Sequence, residues 1–251
     1  MISDLLKVRL DELEVSHKKL NIPKKAFFDM DNTILVGDIG ELVVLALLNE
    51  NMPLSMSWEE YLEMLKNEGE RIAYRKINEA KAGNSVENIK LLVSKLLDLE
   101  LPYKYLSYTK KIPKQNASIK NLLFELKIRE YELYLITASS QYVAEAVVEK
   151  WFPEIENDKV FGVRNKVTNG LLSDELVVPF PIKEGKGQVI DLIIGNDKPL
   201  ICAGDSINDV DMLNKTHQKG LNIIVDHKPD KTFSILKNLN TLDNIFFLEW
   251  N

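Results

Sequence analysis

Short apolar runs alternate with amphipathic helical segments along most of this 251-residue chain, and this alternation limits the folds open to it. The main runs are Lys24–Phe28, Glu132–Ile136, Pro199–Ala203 and Leu221–Val225. Runs of this length and apolar content are typical of strands that are buried on both faces of a sheet. Strands that are separated by helices pair in parallel, so the sequence predicts an α/β fold with an open parallel sheet.

One long segment interrupts this alternation. From residue 40 to about 108 the apolar residues repeat with a helical period and no convincing strand appears. We therefore predict an inserted, all-helical segment at residues 38–113. The sheet domain then comprises residues 1–37 and 114–251, and it includes a helix at 2–20 whose apolar stripe either packs on the domain or mediates dimerisation.

Charge and apolar content exclude several classes of protein. With 38 acidic and 32 basic residues the formal net charge is −6, so we expect no nucleic-acid partner and no anionic membrane partner. The longest apolar run, Leu42–Leu48, is far shorter than the roughly 18 residues of a membrane-spanning helix. The first twenty residues lack the apolar stretch of a signal peptide, and Cys202 is the only cysteine, so we expect a cytoplasmic protein.

Polar residues that follow three of the predicted strands are expected at one edge of the sheet, where parallel strands present their carboxyl ends. They are Asp29 and Asp31, then Thr137, then Asp205 and Asp209. Four carboxylates in a small volume repel one another unless a cation neutralises them, and few, hard oxygen ligands suit Mg²⁺. A metal ion among carboxylates with a lysine nearby is typical of proteins that transfer phosphoryl groups.

These positions resemble the four ordered motifs of the haloacid dehalogenase (HAD) superfamily, in the branch that includes phosphoserine phosphatase. The motifs are Asp29–Thr33, Thr137, Lys186 and Gly204–Asp209. The resemblance implies a Rossmann-like core with a helical cap. It also implies a Mg²⁺-dependent phosphatase that acts on a small phosphorylated metabolite.

The resemblance further implies a role for each motif residue. Asp29 is the expected nucleophile that forms an aspartyl-phosphate, and Asp31 is the expected general acid and base. Thr137 is expected to bind the phosphoryl oxygens, and Lys186 to stabilise the negative charge of the nucleophile and of the transition state. The expected magnesium ligands are the side chains of Asp29 and Asp205 and the main-chain carbonyl of Asp31. Asp209 is expected at the same metal site, where it either orients Lys186 or contacts a metal-bound water.

The residues that select the substrate are less constrained by the sequence. Asp38 either faces the pocket, where it could meet an amine, or caps a helix. Arg71 and Arg75 are four residues apart on one helical face, where they either bind an anionic substrate tail or are solvated surface charges. Ser139 and Asn208, which lie within or beside the motifs, are further candidates for substrate binding.

Two features bear on the substrate. Leu65 falls where phosphoserine phosphatase has the arginine that binds the serine carboxylate, and this disfavours phosphoserine. The Asp-Met-Asp-Asn-Thr form of residues 29–33 also occurs in phosphorylcholine phosphatase, so a cationic head group is a candidate.

Two other functions stay open: phosphotransfer to an alcohol acceptor, and a non-catalytic protein that binds a partner through the N-terminal helix. A monomer and a homodimer are both compatible with the sequence.

Overall fold

A computed structural model describes residues 2–250 of the chain. The strands in chain order are β1 (Lys25–Phe28), β2 (Leu35–Val36), β3 (Tyr103–Tyr105), β4 (Tyr108–Lys110), β5 (Lys114–Gln115), β6 (Glu132–Ser140), β7 (Val160–Thr168), β8 (Leu171–Val177), β9 (Ile201–Gly204), β10 (Leu221–Asp226) and β11 (Ile245–Glu249). The helices are α1 (Asp4–Leu20), α2 (Ile39–Asn49), α3 (Trp58–Asn67), α4 (Glu70–Glu79), α5 (Val86–Leu97), α6 (Ala117–Ile128), α7 (Gln141–Trp151), α8 (Glu184–Ile194), α9 (Val210–Leu213) and α10 (Pro229–Asn238). Within residues 2–250, no helix is long and apolar enough to cross a bilayer.

Seven of the strands form one sheet in the order β11-β10-β9-β1-β6-β7-β8. Neighbours pair in parallel, except that β7 and β8 form an antiparallel hairpin at one edge. The hairpin turn is Asn169 and Gly170, and both have positive φ, as a two-residue turn of this kind requires. The predicted α/β fold with a mostly parallel sheet is therefore confirmed.

Helices cover both faces of the sheet, because successive side chains of a buried strand point to opposite faces. Ala26 and Phe28 of β1 belong to an apolar cluster with α1, α6 and α7, whereas Phe27 belongs to a second cluster with α8, α9 and α10. The apolar stripe of α1 is buried in the first cluster, so this helix packs on its own chain.

The segment between β2 and β5 contains α2 to α5. Its two connections to the sheet lie side by side, because β2 and β5 pair antiparallel with Leu35 opposite Gln115. Helices α2, α3 and α4 share a third apolar cluster that includes Trp58 and Tyr61, while α5 contributes to the cluster of α7. As a division into domains, the limits at residues 38 and 113 stay a prediction.

The four strands β3, β4, β6 and β11 differ from the sequence expectation. The hairpin of β3 and β4 was not predicted, because each strand has only three residues and no continuous apolar run. Strand β6 continues through Thr137 to Ser140, since polar residues that resemble a loop still pair with β7. Strand β11 was missed because it is a half-buried edge strand at the end of a polar stretch.

Candidate active site

A cavity of about 370 Å³ lies beside the carboxyl ends of β1, β6 and β9, and helices α2, α3 and α4 form its opposite wall. Ligands of open α/β sheets bind at this edge, and the volume is in the range of small-molecule sites. The predicted site residues that line the cavity are Asp29, Asp31, Asp38, Thr137, Ser139, Lys186, Asp205 and Asn208.

Asp29 directly follows β1 and is only 6% exposed. Its Oδ1 accepts a hydrogen bond of 2.5 Å from Lys186 Nζ, and its Oδ2 accepts one of 3.2 Å from Thr33 Oγ1. Burial raises the pKa of Asp29 to about 7, although the positive charge of Lys186 acts in the opposite direction. A further cation beside this carboxylate would favour its ionised form.

Lys186 lies in the first turn of α8 and is buried. Besides Asp29 it contacts Asp209, with 2.5 Å from Nζ to Oδ1. Burial alone would lower the pKa of Lys186, but the two carboxylates raise it above its usual range, so the side chain is positively charged. The glycine before it is required by packing, because a Cβ at Gly185 would lie 1.6 Å from the carbonyl oxygen of Phe180.

Asp209 uses its second oxygen to fix the turn after β9. Its Oδ2 accepts hydrogen bonds from the main-chain N–H of Asp205 at 3.1 Å and from the N–H and hydroxyl of Ser206 at 2.9 and 3.1 Å. The glycine before Asp205 allows this close approach, since a Cβ at Gly204 would lie 2.5 Å from the Cβ of Asp209. Asp209 therefore positions both Lys186 and the Asp205 turn.

Asp205 is buried against two basic side chains. Its Oδ2 accepts hydrogen bonds from His227 Nε2 at 2.8 Å and from Lys231 Nζ at 2.9 Å. Burial raises the pKa of Asp205, but the His227 hydrogen bond and the Lys231 charge outweigh it, so the pKa is lowered. No hydrogen bond reaches Oδ1 from the described residues, and this oxygen is available to a ligand.

The carboxylates of Asp29, Asp205 and Asp209 fit a magnesium ion. One oxygen atom from each lies within 4.8 Å of the others, and all three groups are buried. Oxygen donors of this kind are the usual protein ligands of Mg²⁺, and a bound cation would add to the positive charges of Lys186 and Lys231 beside these carboxylates. Both oxygens of Asp29 and of Asp209 already accept hydrogen bonds, so Asp205 Oδ1 is the most open oxygen of the three groups. The Asp31 main-chain carbonyl stays a predicted ligand.

Asp31 lies in the short turn of residues Met30–Ile34, which is distorted from helical geometry at Asp31 and at Asn32, where φ is 62°. Its Oδ1 accepts a hydrogen bond from the Ile39 N–H at 2.8 Å, and its Oδ2 accepts one from Ser139 Oγ at 2.6 Å. Burial and the negative charge of Asp38 raise the pKa of Asp31 well above its usual value. A carboxyl group that keeps its proton can act as a general acid.

Three other predicted residues reach the cavity in different ways. Thr137 is buried and accepts the Ser139 N–H at 3.0 Å, which leaves its hydroxyl hydrogen without an acceptor among residues 2–250. Asp38 caps α2, because its side chain accepts a hydrogen bond from the Glu41 N–H at 3.0 Å. Burial and the negative charge of Glu41 raise the pKa of Asp38 to about 6. The Asn208 amide donates to Glu70 Oε2 at 2.7 Å and so joins the turn after β9 to α4.

No protein-family model and no curated protein sequence matches the chain. Solved structures do match. A substrate-bound phosphoserine phosphatase is 18% identical with a TM-score of 0.55, over 89% of this chain and 92% of that one. A HAD family hydrolase from Salmonella enterica serovar Typhi is 14% identical with a TM-score of 0.60, over 98% of this chain and 77% of that one. A functionally unknown protein from Anaerococcus prevotii is 16% identical with a TM-score of 0.64, over 86% of this chain and 82% of that one.

The chain has the HAD fold. At these identities the likeness establishes the fold alone, and the function has to be argued from the site. The resemblance that the four motifs suggested is confirmed at the level of the fold, since phosphoserine phosphatases and a HAD hydrolase are among the similar structures.

Two predicted substrate residues lie outside the cavity of this HAD fold. Arg71 forms an ion pair with Glu184, and its side chain is 58% exposed. Arg75 donates to Glu79 Oε1 at 2.8 Å and lies over the ring of Phe180, 5.5 Å from its centroid. Both guanidinium groups thus have partners at the surface. Neither residue lines the cavity, which favours the alternative of solvated surface charges, and a role of these arginines in substrate binding stays a prediction.

Sequence reasoning did not single out five residues at the site. His227 and Lys231 contact Asp205, and both follow β10, so the strand-end argument that found the aspartates could also have found them. The other three lie on the wall opposite the sheet, where helical periodicity separates buried from exposed positions but does not identify a ligand site. They are Tyr61, Tyr74 and Lys81.

Proposed function

We propose that the protein is a magnesium-dependent phosphomonoesterase, which hydrolyses a small phosphorylated metabolite through an aspartyl-phosphate on Asp29. The proposal rests on one observation: the buried Asp29 carboxylate contacts Lys186 and lies beside Asp205 in a cavity of metabolite size. A carboxylate nucleophile, a fixed positive charge and an acidic metal site are the components of phosphoryl transfer. The similar phosphoserine phosphatase and HAD hydrolase structures support this reaction class.

In the first step an Asp29 carboxylate oxygen bonds to phosphorus while the bond from phosphorus to the alcohol oxygen breaks. Asp31 gives its proton to the departing alcohol oxygen. In the second step the Asp31 carboxylate takes a proton from water, the water oxygen bonds to phosphorus, and the bond to Asp29 breaks. Inorganic phosphate leaves and both aspartates return to their initial states. The hydrogen bonds from Ile39 and Ser139 hold Asp31 in place for both proton transfers.

The remaining residues bind the phosphoryl group and offset its charge. Lys186 is fixed by Asp29 and Asp209 with its ammonium group at the nucleophile. The Thr137 hydroxyl lines the cavity and can donate to a phosphoryl oxygen. A magnesium ion bound by Asp29 and Asp205 would supply further positive charge against the phosphoryl oxygens. Preorganised charges of this kind account for most of the catalysis in phosphoryl transfer.

The test uses p-nitrophenyl phosphate with Mg²⁺. We expect Asp29→Asn to lower turnover by about 10³-fold or more, because the nucleophile is lost. Asp31→Asn still forms the phosphoenzyme, since nitrophenolate leaves without a proton, but hydrolysis of the phosphoenzyme stalls. We therefore expect a burst of one equivalent of nitrophenol. The matched control is Asp211→Asn at an exposed position, which should behave as the wild type does.

Other outcomes would assign a different function. Retained activity in Asp29→Asn would overturn the covalent mechanism. If an added alcohol acceptor is converted to a phosphate ester at the expense of free phosphate, the protein is a phosphotransferase. No turnover on any member of a panel of phosphate monoesters would favour a non-catalytic protein with this fold.

A further inference from the structure

Two basic side chains engage one oxygen of Asp205, and the proposed reaction gives neither of them a role. His227 Nε2 and Lys231 Nζ both contact Asp205 Oδ2, at 2.8 and 2.9 Å. The side chains of His227 and Asp205 are only 2% and 3% exposed, so water has little access to the contact between them. Asp205 therefore has one oxygen that is held by the protein and one, Oδ1, that is open to a ligand.

The register of the sheet brings both basic residues to this carboxylate. Strands β9 and β10 pair in parallel with Gly204 opposite Ile224, so the residues that follow the two strands lie side by side. His227 directly follows β10, and Lys231 lies in the first turn of α10. The backbone thus places two nitrogen donors next to Asp205, which directly follows β9.

Further contacts hold these donors in place. The ring of His227 stacks on Trp250, with 4.2 Å between centroids and 6° between planes, and Trp250 itself donates to the Asn32 carbonyl oxygen. The start of α10 is tied to the end of β10, because the Thr232 hydroxyl donates to Asp226 Oδ1 at 2.7 Å. A donor that is fixed on its far side also fixes the carboxylate that it contacts.

The other two carboxylates of the candidate metal site have no pair of free oxygens either. Asp29 accepts hydrogen bonds from Lys186 at Oδ1 and from Thr33 at Oδ2. Both oxygens of Asp209 also accept hydrogen bonds, from Lys186 at Oδ1 and from main-chain N–H groups at Oδ2. An ion at this site can therefore use both oxygens of one carboxylate only if a buried hydrogen bond breaks.

This restriction affects Ca²⁺ more than Mg²⁺. Calcium takes about six to eight oxygen ligands and often uses both oxygens of one carboxylate. Magnesium is smaller, takes about six ligands in a strict octahedron and keeps several waters, so one oxygen from each carboxylate is enough. A hydrogen bond to a buried charged group is costly to break, and only an ion that needs Asp205 Oδ2 has to break the contacts there.

We propose that His227 and Lys231 are positioning residues, which make Asp205 a ligand through one oxygen and thereby favour Mg²⁺ over Ca²⁺. The proposal rests on the proposed function for the presence of a metal ion at this site. The charge of Lys231 opposes the binding of both ions alike, because both carry two positive charges. The ratio of the two dissociation constants, Kd for Ca²⁺ over Kd for Mg²⁺, therefore reports the positioning role.

The test is calorimetric titration of the protein with Mg²⁺ and with Ca²⁺, in the absence of substrate. His227→Phe keeps a ring that can stack on Trp250 but removes the nitrogen donor, so Asp205 Oδ2 becomes available. We expect the ratio to fall by about tenfold, the effect of losing one hydrogen bond to a charged group. Lys231→Met should lower it by about threefold or more. His227→Gln, whose amide can still donate to Oδ2, should keep most of the wild-type ratio.

Lys228→Met is the matched control, because it removes an exposed lysine just before α10 and should leave the ratio unchanged. The Lys231 side chain is 37% exposed, so Lys231→Met is expected to fold even if His227→Phe does not. An unchanged ratio in Lys231→Met, or an equal fall in Lys228→Met, would overturn the positioning role. If the wild type still hydrolyses p-nitrophenyl phosphate with Mg²⁺, the proposed function stands. A wild type that binds neither ion would count against both proposals.

Discussion

Lys186 places its positive charge between the carboxylates of Asp29 and Asp209, and all three side chains are buried. Lys186→Met leaves both carboxylates without this partner. Removing one member of a buried charged group is strongly destabilising, so we expect the free energy of unfolding to fall by about 3 kcal/mol in the presence of a chelator. Urea denaturation of the variant and the wild type measures this difference.

Magnesium should restore part of that loss, because a bound cation replaces some of the missing positive charge beside Asp29. We therefore expect Mg²⁺ to raise the melting temperature of Lys186→Met more than that of the wild type. Lys183→Met is the matched control, since Lys183 is exposed and lies three residues earlier. If Lys186→Met and the Lys183→Met control are equally stable in the presence of a chelator, the charged contacts of Lys186 with Asp29 and Asp209 contribute little to folding.

At the scale of elements, the start of α2 packs tightly against β6. A Cβ at Gly40 would lie 2.7 Å from the Ser139 hydroxyl oxygen, which itself donates to Asp31. Gly40→Ala should displace this hydroxyl and lower kcat by about tenfold, because Asp31 loses a hydrogen bond that orients it. Stability should change less, since alanine favours the helix.

A double-mutant cycle measures this contact. Ser139→Ala removes the hydroxyl and should lower kcat by a similar factor of about ten. If the two changes act through the same contact, Gly40→Ala combined with Ser139→Ala should cost no more activity than the worse single variant. Multiplicative losses in the double variant would mean that α2 and Ser139 act on the reaction separately.

The elements that the sequence predicted well are those whose apolar period is local. The helical period of residues 141–151 and 184–194 predicts the helices that the structure has as α7 and α8, because an amphipathic stripe needs no knowledge of distant residues. The proximity of Asp29 and Asp205 could also be predicted, since the carboxyl ends of parallel strands lie at the same edge of the sheet. The pairing of β3 with β4 could not, because two three-residue strands carry no periodic signal.

Contacts between distant parts of the chain explain why the sequence did not identify some residues of the site. Lys81 belongs to a segment that looks like an ordinary helix end, and only the packing of α4 over the sheet edge buries it. The spacing of Arg71 and Arg75 left both a binding face and a solvated surface open, and the structure pairs both residues with partners at the surface. Sequence periodicity thus assigns a residue to a face, whereas tertiary packing decides what that face meets.

At the scale of the whole molecule, the segment after β11 folds back onto the loop that follows β1. Trp250 donates its indole N–H to the Asn32 carbonyl oxygen at 3.0 Å, and its ring stacks on His227 with 4.2 Å between centroids. His227 in turn contacts Asp205, a proposed magnesium ligand. Residues from four separate parts of the chain are therefore joined through one aromatic contact.

This contact predicts that Trp250 affects metal binding without touching the metal. Trp250→Ala frees His227 and the loop at Asn32, so Asp205 is less well oriented, and we expect the Mg²⁺ dissociation constant to rise about threefold to tenfold. Calorimetric titration of the protein with Mg²⁺ measures this directly. Phe247→Ala is the control, since Phe247 is an exposed aromatic residue of β11 and should leave Mg²⁺ affinity unchanged. The same affinity in Trp250→Ala would mean that the stacked ring serves only packing.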